Sequence, residues 1–250
     1  AVMNEARPLP GGDAWGEILA WDSSFFGVRI AALRVARLTE ESAPAILHWC
    51  ISEKIACLYF LAPPDDPATL RIAAREGFSL TDVRVTLSRE SASTGFVTPD
   101  VRPFHNSDLP HLLRIAGFSH TTTRFYFDQR FPRERCQALY EEWLVNSTRD
   151  VHKATLVVER EGKPAGYVTC EFAGPTGKIG LLAVADWARG MGLGSVLVQS
   201  ALAFLRTKEK HRVSVVTQGR NIAAQRLYQR NGFLTDSLAF WYHRWFQEDP

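Results

Sequence analysis

Arg189-Gly190-Met191-Gly192-Leu193-Gly194-Ser195 lies between an apolar run, Lys178 to Val184, and an amphipathic run from about Gly194 to Leu205. The first run reads as a strand apolar at nearly every position and hence buried on both faces, the second as a helix. Glycines between them let the backbone turn with positive φ, so successive N–H groups converge on one spot. The start of the helix adds amides without an intrahelical acceptor and the positive end of its dipole. Gly190, Met191, Gly192, Leu193, Gly194 and Ser195 therefore read as a pyrophosphate cradle, with Arg189 as a mobile countercharge. Alternating glycines by themselves also fit a plain loop.

A second feature follows one strand later. Asn221, Ala224 and Tyr228 are spaced to share one helix face, with Leu227 beside it, and the helix stops at Gly232-Phe233. A small Ala between an amide and a phenol lets a ligand approach the helix closely. Taken alone, Tyr228 fits an ordinary core position equally well.

Outward from this pair, the chain downstream of residue 95 alternates elements. Val101 to Phe104 reads as a strand, Leu109 to Ala116 as a helix capped by Asn106 or Ser107, and Ser119 to Phe131 as an aromatic loop. Pro132 opens a second helix, and Ala154 to Glu159 with Ala165 to Phe172 form a hairpin around Glu161-Gly162-Lys163. Beyond the glycine loop come the strand Val213 to Thr217, the helix Asn221 to Arg230 and two strands, within Phe233 to Asp236 and Leu238 to Trp245. The expected fold class is α/β (α+β), a mixed central sheet with helices on both faces. A polar stretch, Arg89 to Gly95, marks a boundary: residues 1–95 read as a smaller α/β N-terminal domain and 96–250 as the domain that carries both features. In the first part Ile55 to Leu61 and Thr81 to Leu87 read as strands around a helix from Asp66-Pro67 to Gly77-Phe78. That helix, Gly-Phe, strand phrase returns at Gly232-Phe233, so a partial repeat with a substrate or interface role is one reading and a chance match the other.

The composition is that of an ordinary globular chain: 250 residues, 46% hydrophobic, 22% charged, formal charge +2. Such a small net charge gives no reason to expect nucleic acid or an anionic membrane as partner. Cys50, Cys57, Cys136 and Cys170 form no CxxC pair, so no metal is expected and buried free thiols are. No basic-then-apolar leader opens the sequence and no apolar run reaches ~18 residues, so the expected compartment is the cytoplasm. Phe240, Trp241, Tyr242 and Trp245, if exposed, would need covering, for example in a homodimer.

The two features together, Arg189-x-x-Gly192-x-Gly194 and Asn221-x-x-Ala224-x-x-Leu227-Tyr228-x-x-x-Gly232-Phe233, resemble the GNAT superfamily of acetyl-CoA-dependent N-acetyltransferases. A closer resemblance, to bacterial acetyltransferases of dTDP-linked 4-amino-4,6-dideoxy sugars, rests on Trp21-Asp22-Ser23-Ser24-Phe25-Phe26-Gly27-Val28, Ile179 to Ala183 and Ala239-Phe240-Trp241-Tyr242. The Phe25-Phe26 pair is also open to a packing explanation. The resemblance implies a GNAT fold, acetyl-CoA as co-substrate and no metal. It places acetyl-CoA where Ile179–Val184 and Val213–Thr217 splay, with Leu182, Ala183 and Val184 pairing with the pantetheine arm and Asn221 and Ala224 facing it. Tyr228 would be the general acid, a phenol near pKa ~10 serving a thiolate near ~8.5. Glu171 is a candidate base, with Asp186 and Asp128 behind it, and a water chain is the alternative.

The implied acceptor is a small-molecule amine, the amino group of a nucleotide-linked sugar. Arg124, Phe125 and Tyr126 suit pairing with a phosphate and stacking on a base, and equally suit an aromatic loop packed on the N-terminal domain. His120 shows no partner and has no role. The alternatives are a protein N-terminus, a lysine or an antibiotic amine as acceptor, or an acyl-CoA sensor without turnover. A Rossmann fold is disfavoured because no acidic residue ends the strand Val213 to Thr217.

Overall fold

A computed structural model of the chain describes residues 6–8, 15–90 and 100–246. The boundary stretch from Ser91 to Gly95 lies outside the described residues. The chain forms two compact units, one of residues 1–84, 124–135 and 238–250, the other of 85–123 and 136–237. They are not successive pieces of sequence: the change of unit falls inside two long strands and at the aromatic segment near Arg124.

The elements of the first ninety residues are β1 (Ala6–Pro8), β2 (Trp15–Ile18), α1 (Ala20–Phe26), β3 (Ile30–Leu33), α2 (Ser42–Ser52), β4 (Cys57–Ala62), α3 (Pro67–Arg75) and β5 (Ser79–Glu90). Then follow β6 (Val101–Pro103), α4 (Leu109–Ser119), α5 (Arg124–Phe127), α6 (Arg133–Arg149), β7 (Lys153–Arg160), β8 (Lys163–Glu171), β9 (Gly177–Val184), α7 (Leu193–Thr207), β10 (Arg212–Gln218), α8 (Ile222–Arg230) and β11 (Leu234–Trp245).

In the first unit the strand order is β1-β2-β3-β4-β11-β5, with β3 and β4 parallel through the crossover helix α2 and β4 antiparallel to β11. β3 is buried throughout and β4 nearly so, as strands covered on both faces should be. Leu38, Ile46, Leu58, Phe60, Ile72, Phe78 and Tyr242 form the core. The Trp21 to Val28 tract is α1, closed by Gly27 in the left-handed conformation (φ 73°). Trp21 stacks on Phe25 at 5.0 Å, while Phe26 packs on Phe125 and Phe131 at 5.5 and 4.5 Å. The aromatics near the C-terminus are tied into this unit: Tyr242 is core, Phe240 packs against it, and Trp245 lies on Phe131. Phe240, Trp241 and Trp245 are half-buried there.

In the second unit the order is β11-β5-β10-β9-β8-β7-β6. β7 and β8 form the expected hairpin, whose turn puts Glu161 and Gly162 at φ 53° and 71°, the left-handed pair that matches strand twist. Leu112, Ala116 and Leu144 of α4 and α6 cover Val157, Tyr167 and Ala183 of the sheet. β9 is not buried on both faces: Lys178 and Gly180 are exposed, and Leu181, Leu182 and Val184 half-buried, because its neighbour β10 departs midway. The two terminal strands are one continuous twelve-residue strand, β11. Ser237 supplies no turn, and the chain runs on from one unit into the other there.

The helix, Gly-Phe, strand phrase recurs in detail. α3 and α8 each have nine residues, and β5 and β11 each have twelve. Gly77 and Gly232 have φ 77° and 80°, and the following Phe78 and Phe233 amides donate to Ala73 and Tyr228 carbonyls at 2.9 and 3.1 Å. Arg244 lies 3.2 Å from where a Cβ of Gly77 would be, and Arg89 lies 3.3 Å from the same point at Gly232. At both turns the positive φ favours glycine, and an added side chain would also have to push an Arg guanidinium aside.

Candidate active site

The site in the second unit begins with a register shift. β8 pairs Cys170 with Ile179 and Val168 with Leu182, so Gly180 and Leu181 oppose Thr169 alone, a β-bulge. Thr169 Oγ1 accepts the Leu181 N–H at 2.8 Å. A Cβ on Gly180 would lie 2.6 Å from that oxygen, so the bulge requires glycine. Parallel pairing of β9 with β10 runs from Gly177↔Val213 to Ile179↔Val215 and ends there. Beyond it the strands splay.

The Ala185 N–H donates to Ala165 of β8 at 2.8 Å. Backbone groups alternate along a strand, so Ala183 also faces β8, and the amides and carbonyls of Leu182 and Val184 face the splay. Of the three residues expected to pair with an added strand, Leu182 and Val184 therefore present their polar groups and Ala183 contributes spacing.

The chain then reaches the glycine loop. Gly190 and Gly192 stand at φ 80° and 77° with open space where a Cβ would go, so they are glycines for conformation. Gly192 caps α7 and its carbonyl accepts the Ser195 and Val196 N–H groups at 3.0 and 3.3 Å, so among the described residues the amides of Leu193 and Gly194 are the ones left for a ligand. Gly194 is glycine for another reason: a Cβ there would meet Leu227 of α8 at 3.2 Å. Arg189 pairs with Asp186 at 2.8 Å, both well exposed. An exposed pair of this kind is worth ~0–1 kcal/mol, so a phosphate can displace it easily. Met191 is exposed on the outside of the loop.

α8 packs on the start of α7. Asn221 is its N-cap, with Oδ1 accepting the Ala224 N–H at 3.1 Å, so only its amide NH₂ remains for a ligand. Tyr228 is buried edge-on to Phe233 at 5.7 Å. Its hydroxyl makes no hydrogen bond among the described residues, and burial pushes its pKa well up. Asn231 is the buried link between the helices. Its Nδ2 donates to Ser195 Oγ at 3.2 Å and to the Leu227 carbonyl at 2.8 Å, and its Oδ1 accepts from Gln199 at 2.8 Å. Asn231→Ala leaves these groups unpaired and is expected to lower stability by ~1–3 kcal/mol in urea unfolding. Unchanged stability would mean that water replaces the amide.

Glu171 ends β8 beside the splay, in an ion pair with Lys153 at 3.3 Å. It borders a pocket along Ile179, Gly180 and Val215 on one side and another along Trp143, Asn146 and Leu181 on the other. Asp186 is engaged with Arg189. His120, to which no role was given, is paired after all: its Nε2 lies 3.2 Å from Tyr167 Oη, its ring stacks on Tyr140 at 4.7 Å, and burial lowers its pKa to about 4.

Arg124, Phe125 and Tyr126 lie in the first unit, on α5. Phe125 is buried against Phe26 and Phe131. The Arg124 guanidinium sits 4.1 Å from the Tyr59 and Phe125 ring centroids and 4.4 Å from that of Trp241, and its Nη1 is 2.5 Å from His243 Nε2. Asp128, a weaker base candidate, is occupied: its Oδ2 accepts from His243 Nδ1 at 2.6 Å and from Trp245 Nε1 at 2.8 Å. Sequence could not pair residues this far apart. Thr169, Asn231 and His243 carried no local pattern that marked them.

All four cysteines are buried and free. Among the described residues no helix is long and apolar enough to cross a membrane, and no three His, Cys, Asp or Glu side chains cluster as a metal site.

A bulged strand whose pairing with its neighbour ends midway, a glycine turn at a helix start and a tyrosine-bearing helix packed on it thus occur together in this unit. Residues 117–233 match the Acetyltransferase (GNAT) family. They are a GNAT-family acetyltransferase domain, and the protein is an acetyl-CoA-dependent N-acetyltransferase. It is 28% identical over 236 residues to a dTDP-fucosamine acetyltransferase of Escherichia coli O6:H1, covering 91% of this chain and 97% of that one. It is 24% identical over 146 residues to the spore coat polysaccharide biosynthesis protein SpsD of Bacillus subtilis, covering 58% of this chain and 50% of that one. A GCN5-related N-acetyltransferase from Sphaerobacter thermophilus shares the fold, with a TM-score of 0.65 at 14% identity over 94% of this chain and 77% of that one.

Proposed function

We propose that the protein transfers an acetyl group from acetyl-CoA to the amino group of a dTDP-linked amino-deoxy sugar by direct attack, with Tyr228 as general acid. One observation carries the chemistry: the unpaired strand edge at Leu182 and Val184, the cradle from Arg189 to Ser195 and an unbonded buried phenol occur in one unit. In this reading the pantetheine arm pairs with Leu182 and Val184, the cradle amides hold the pyrophosphate, and the free NH₂ of Asn221 meets the arm from α8. Ala224 gives the arm room.

The neutral amine attacks the thioester carbonyl, and the developing oxyanion accepts a hydrogen bond from the Leu182 N–H, fixed in place by the bulge. The C–S bond breaks as Tyr228 gives its proton to the leaving thiolate. The amine proton goes to Glu171, directly or through water. Positioning of the two reactants supplies much of the acceleration.

Support for the acceptor class comes from the near full-length likeness to the dTDP-fucosamine acetyltransferase. The first unit fits a reduced copy of the second. Asp66 stands at the cap of α3 where Asn221 caps α8, Ala73 at the position of Tyr228, and the loop Arg34 to Glu41 contains no glycine. In this reading cofactor chemistry belongs to the second unit, and the N-terminal domain serves the substrate.

The deciding experiment is thiol release from acetyl-CoA over a panel of amines, with dTDP-amino-dideoxy sugars beside peptides, lysine and aminoglycosides. Turnover on one nucleotide sugar alone is expected. Turnover only on a peptide or an antibiotic would refute the acceptor assignment.

A further inference from the structure

Arg124 is an unusual cation. Three aromatic rings lie within 4.4 Å of its guanidinium carbon, so water is shut away from its faces. Among the described residues it makes no ion pair with a carboxylate. Asp22 of α1 feels its charge but is not bonded to it. Among the described residues one of its five donors goes to His243 Nε2, at 2.5 Å, and a second is shared with the Tyr59 hydroxyl. Tyr59 Oη, buried beside it, has no partner other than this guanidinium among the described residues.

His243 can accept from Arg124 only when neutral, with its proton on Nδ1. The structure enforces that tautomer. Nδ1 faces Asp128 Oδ2 at 2.6 Å, Trp245 Nε1 holds the same oxygen at 2.8 Å, and burial keeps the imidazole neutral, with a pKa of about 4. Asp128, His243 and Arg124 thus form a chain in which the acid fixes the histidine and the histidine fixes the rotation of the guanidinium. A flat cation with covered faces, a fixed rotation and unused in-plane donors is suited to a bidentate oxyanion.

We propose that Arg124 binds a phosphate or diphosphate group carried by the acceptor, and that His243 and Asp128 are its positioning residues. This rests on the nucleotide-linked acceptor argued above. His243 and Asp128 touch no reacting atom. Their effect falls on acceptor affinity and leaves the acetyl-transfer step untouched.

The test uses the full chain saturated with CoA, so that the glycine cradle is filled. Inorganic pyrophosphate and phosphate are titrated separately, and tryptophan fluorescence is read, since Trp241 lies against the guanidinium. The native protein should bind pyrophosphate and Arg124→Gln should not. His243→Phe, which keeps a ring but loses the acceptor, and Asp128→Ala should each weaken binding by roughly tenfold or more. His243→Gln keeps an acceptor near the Nε2 position and should restore most of the affinity. In turnover with a dTDP-amino sugar the same variants should raise the acceptor KM and leave kcat and the acetyl-CoA KM unchanged.

Equal pyrophosphate affinity in native, Phe and Ala proteins would overturn the proposal. So would a Gln variant no better than Phe, or a fall in kcat that tracks lost thermal stability. Arg124- and His243-dependent pyrophosphate binding without turnover of any nucleotide sugar would refute the acceptor reading and keep the anion site. Turnover of the sugar with pyrophosphate binding indifferent to these residues would do the reverse.

Discussion

Tyr228→Phe should lower kcat by ~10²–10⁴-fold while acetyl-CoA binds as before, the usual size of a general-acid contribution. The structure makes this substitution unusually clean. The Tyr228 hydroxyl has no hydrogen-bond partner among the described residues, and the ring, edge-on to Phe233, is retained in phenylalanine. Thermal stability should therefore not move, and lost turnover would report chemistry rather than folding. Burial raises the phenol's pKa above its usual ~10, so the acid stays protonated across the working range. A basic limb in the pH–kcat profile that falls below pH ~10 would then belong to another group, and Tyr228→Phe should leave that limb in place. Single-turnover thiol release is the appropriate measurement, because slow product release could hide the loss. An unchanged chemical step would remove Tyr228 from the mechanism.

Gly192→Val should weaken acetyl-CoA binding by roughly tenfold or more. The φ of 77° at Gly192 is poorly accessible to a β-branched residue, and nothing lies within 4 Å of where its Cβ would be. The defect is thus conformational, ~1–2 kcal/mol or more for an L-residue in this region, and it turns the amides that define the cradle. A graded series separates this from crowding. Gly192→Asn, which tolerates the left-handed conformation, should bind better than Gly192→Val. Gly194→Ala acts by a different route, its methyl pressing on Leu227 at 3.2 Å and requiring that side chain to shift. Equilibrium dialysis with labelled acetyl-CoA decides it, and full affinity in the Val variant would place the pyrophosphate elsewhere.

The cradle and α8 were legible because their residues are neighbours in sequence and their spacing is their geometry. Gly190 and Gly192 announce positive φ, and Asn221 to Gly232 announces a capped helix. The hairpin turn at Glu161-Gly162 was equally local. What escaped notice depended on partners far away in the chain. Whether β9 is buried on both faces depends on where β10 leaves it, and the apolar run gave no sign of that. The bulge depends on a Thr169 hydroxyl on the neighbouring strand. The joining of two expected strands into β11 depends on both units claiming the same strand. Arg124 was singled out from its aromatic neighbours, but its histidine and acid lie on β11 and at the end of α5, beyond any local pattern. The first fifty residues yielded little because β2, α1 and β3 are short, and β3, buried at every position, lacks the alternation that identifies a strand.

The division of the chain also orders events during synthesis. The second unit ends at residue 237, whereas the first takes a strand from beyond it, paired as Phe240 to Trp245 against Ala62 to Cys57. A ribosome making this protein therefore completes the second unit while the earlier-made unit still lacks a strand. Strands β2 to β4 are made early and completed late: Phe240 to Trp245 act as the closing stitch of their sheet.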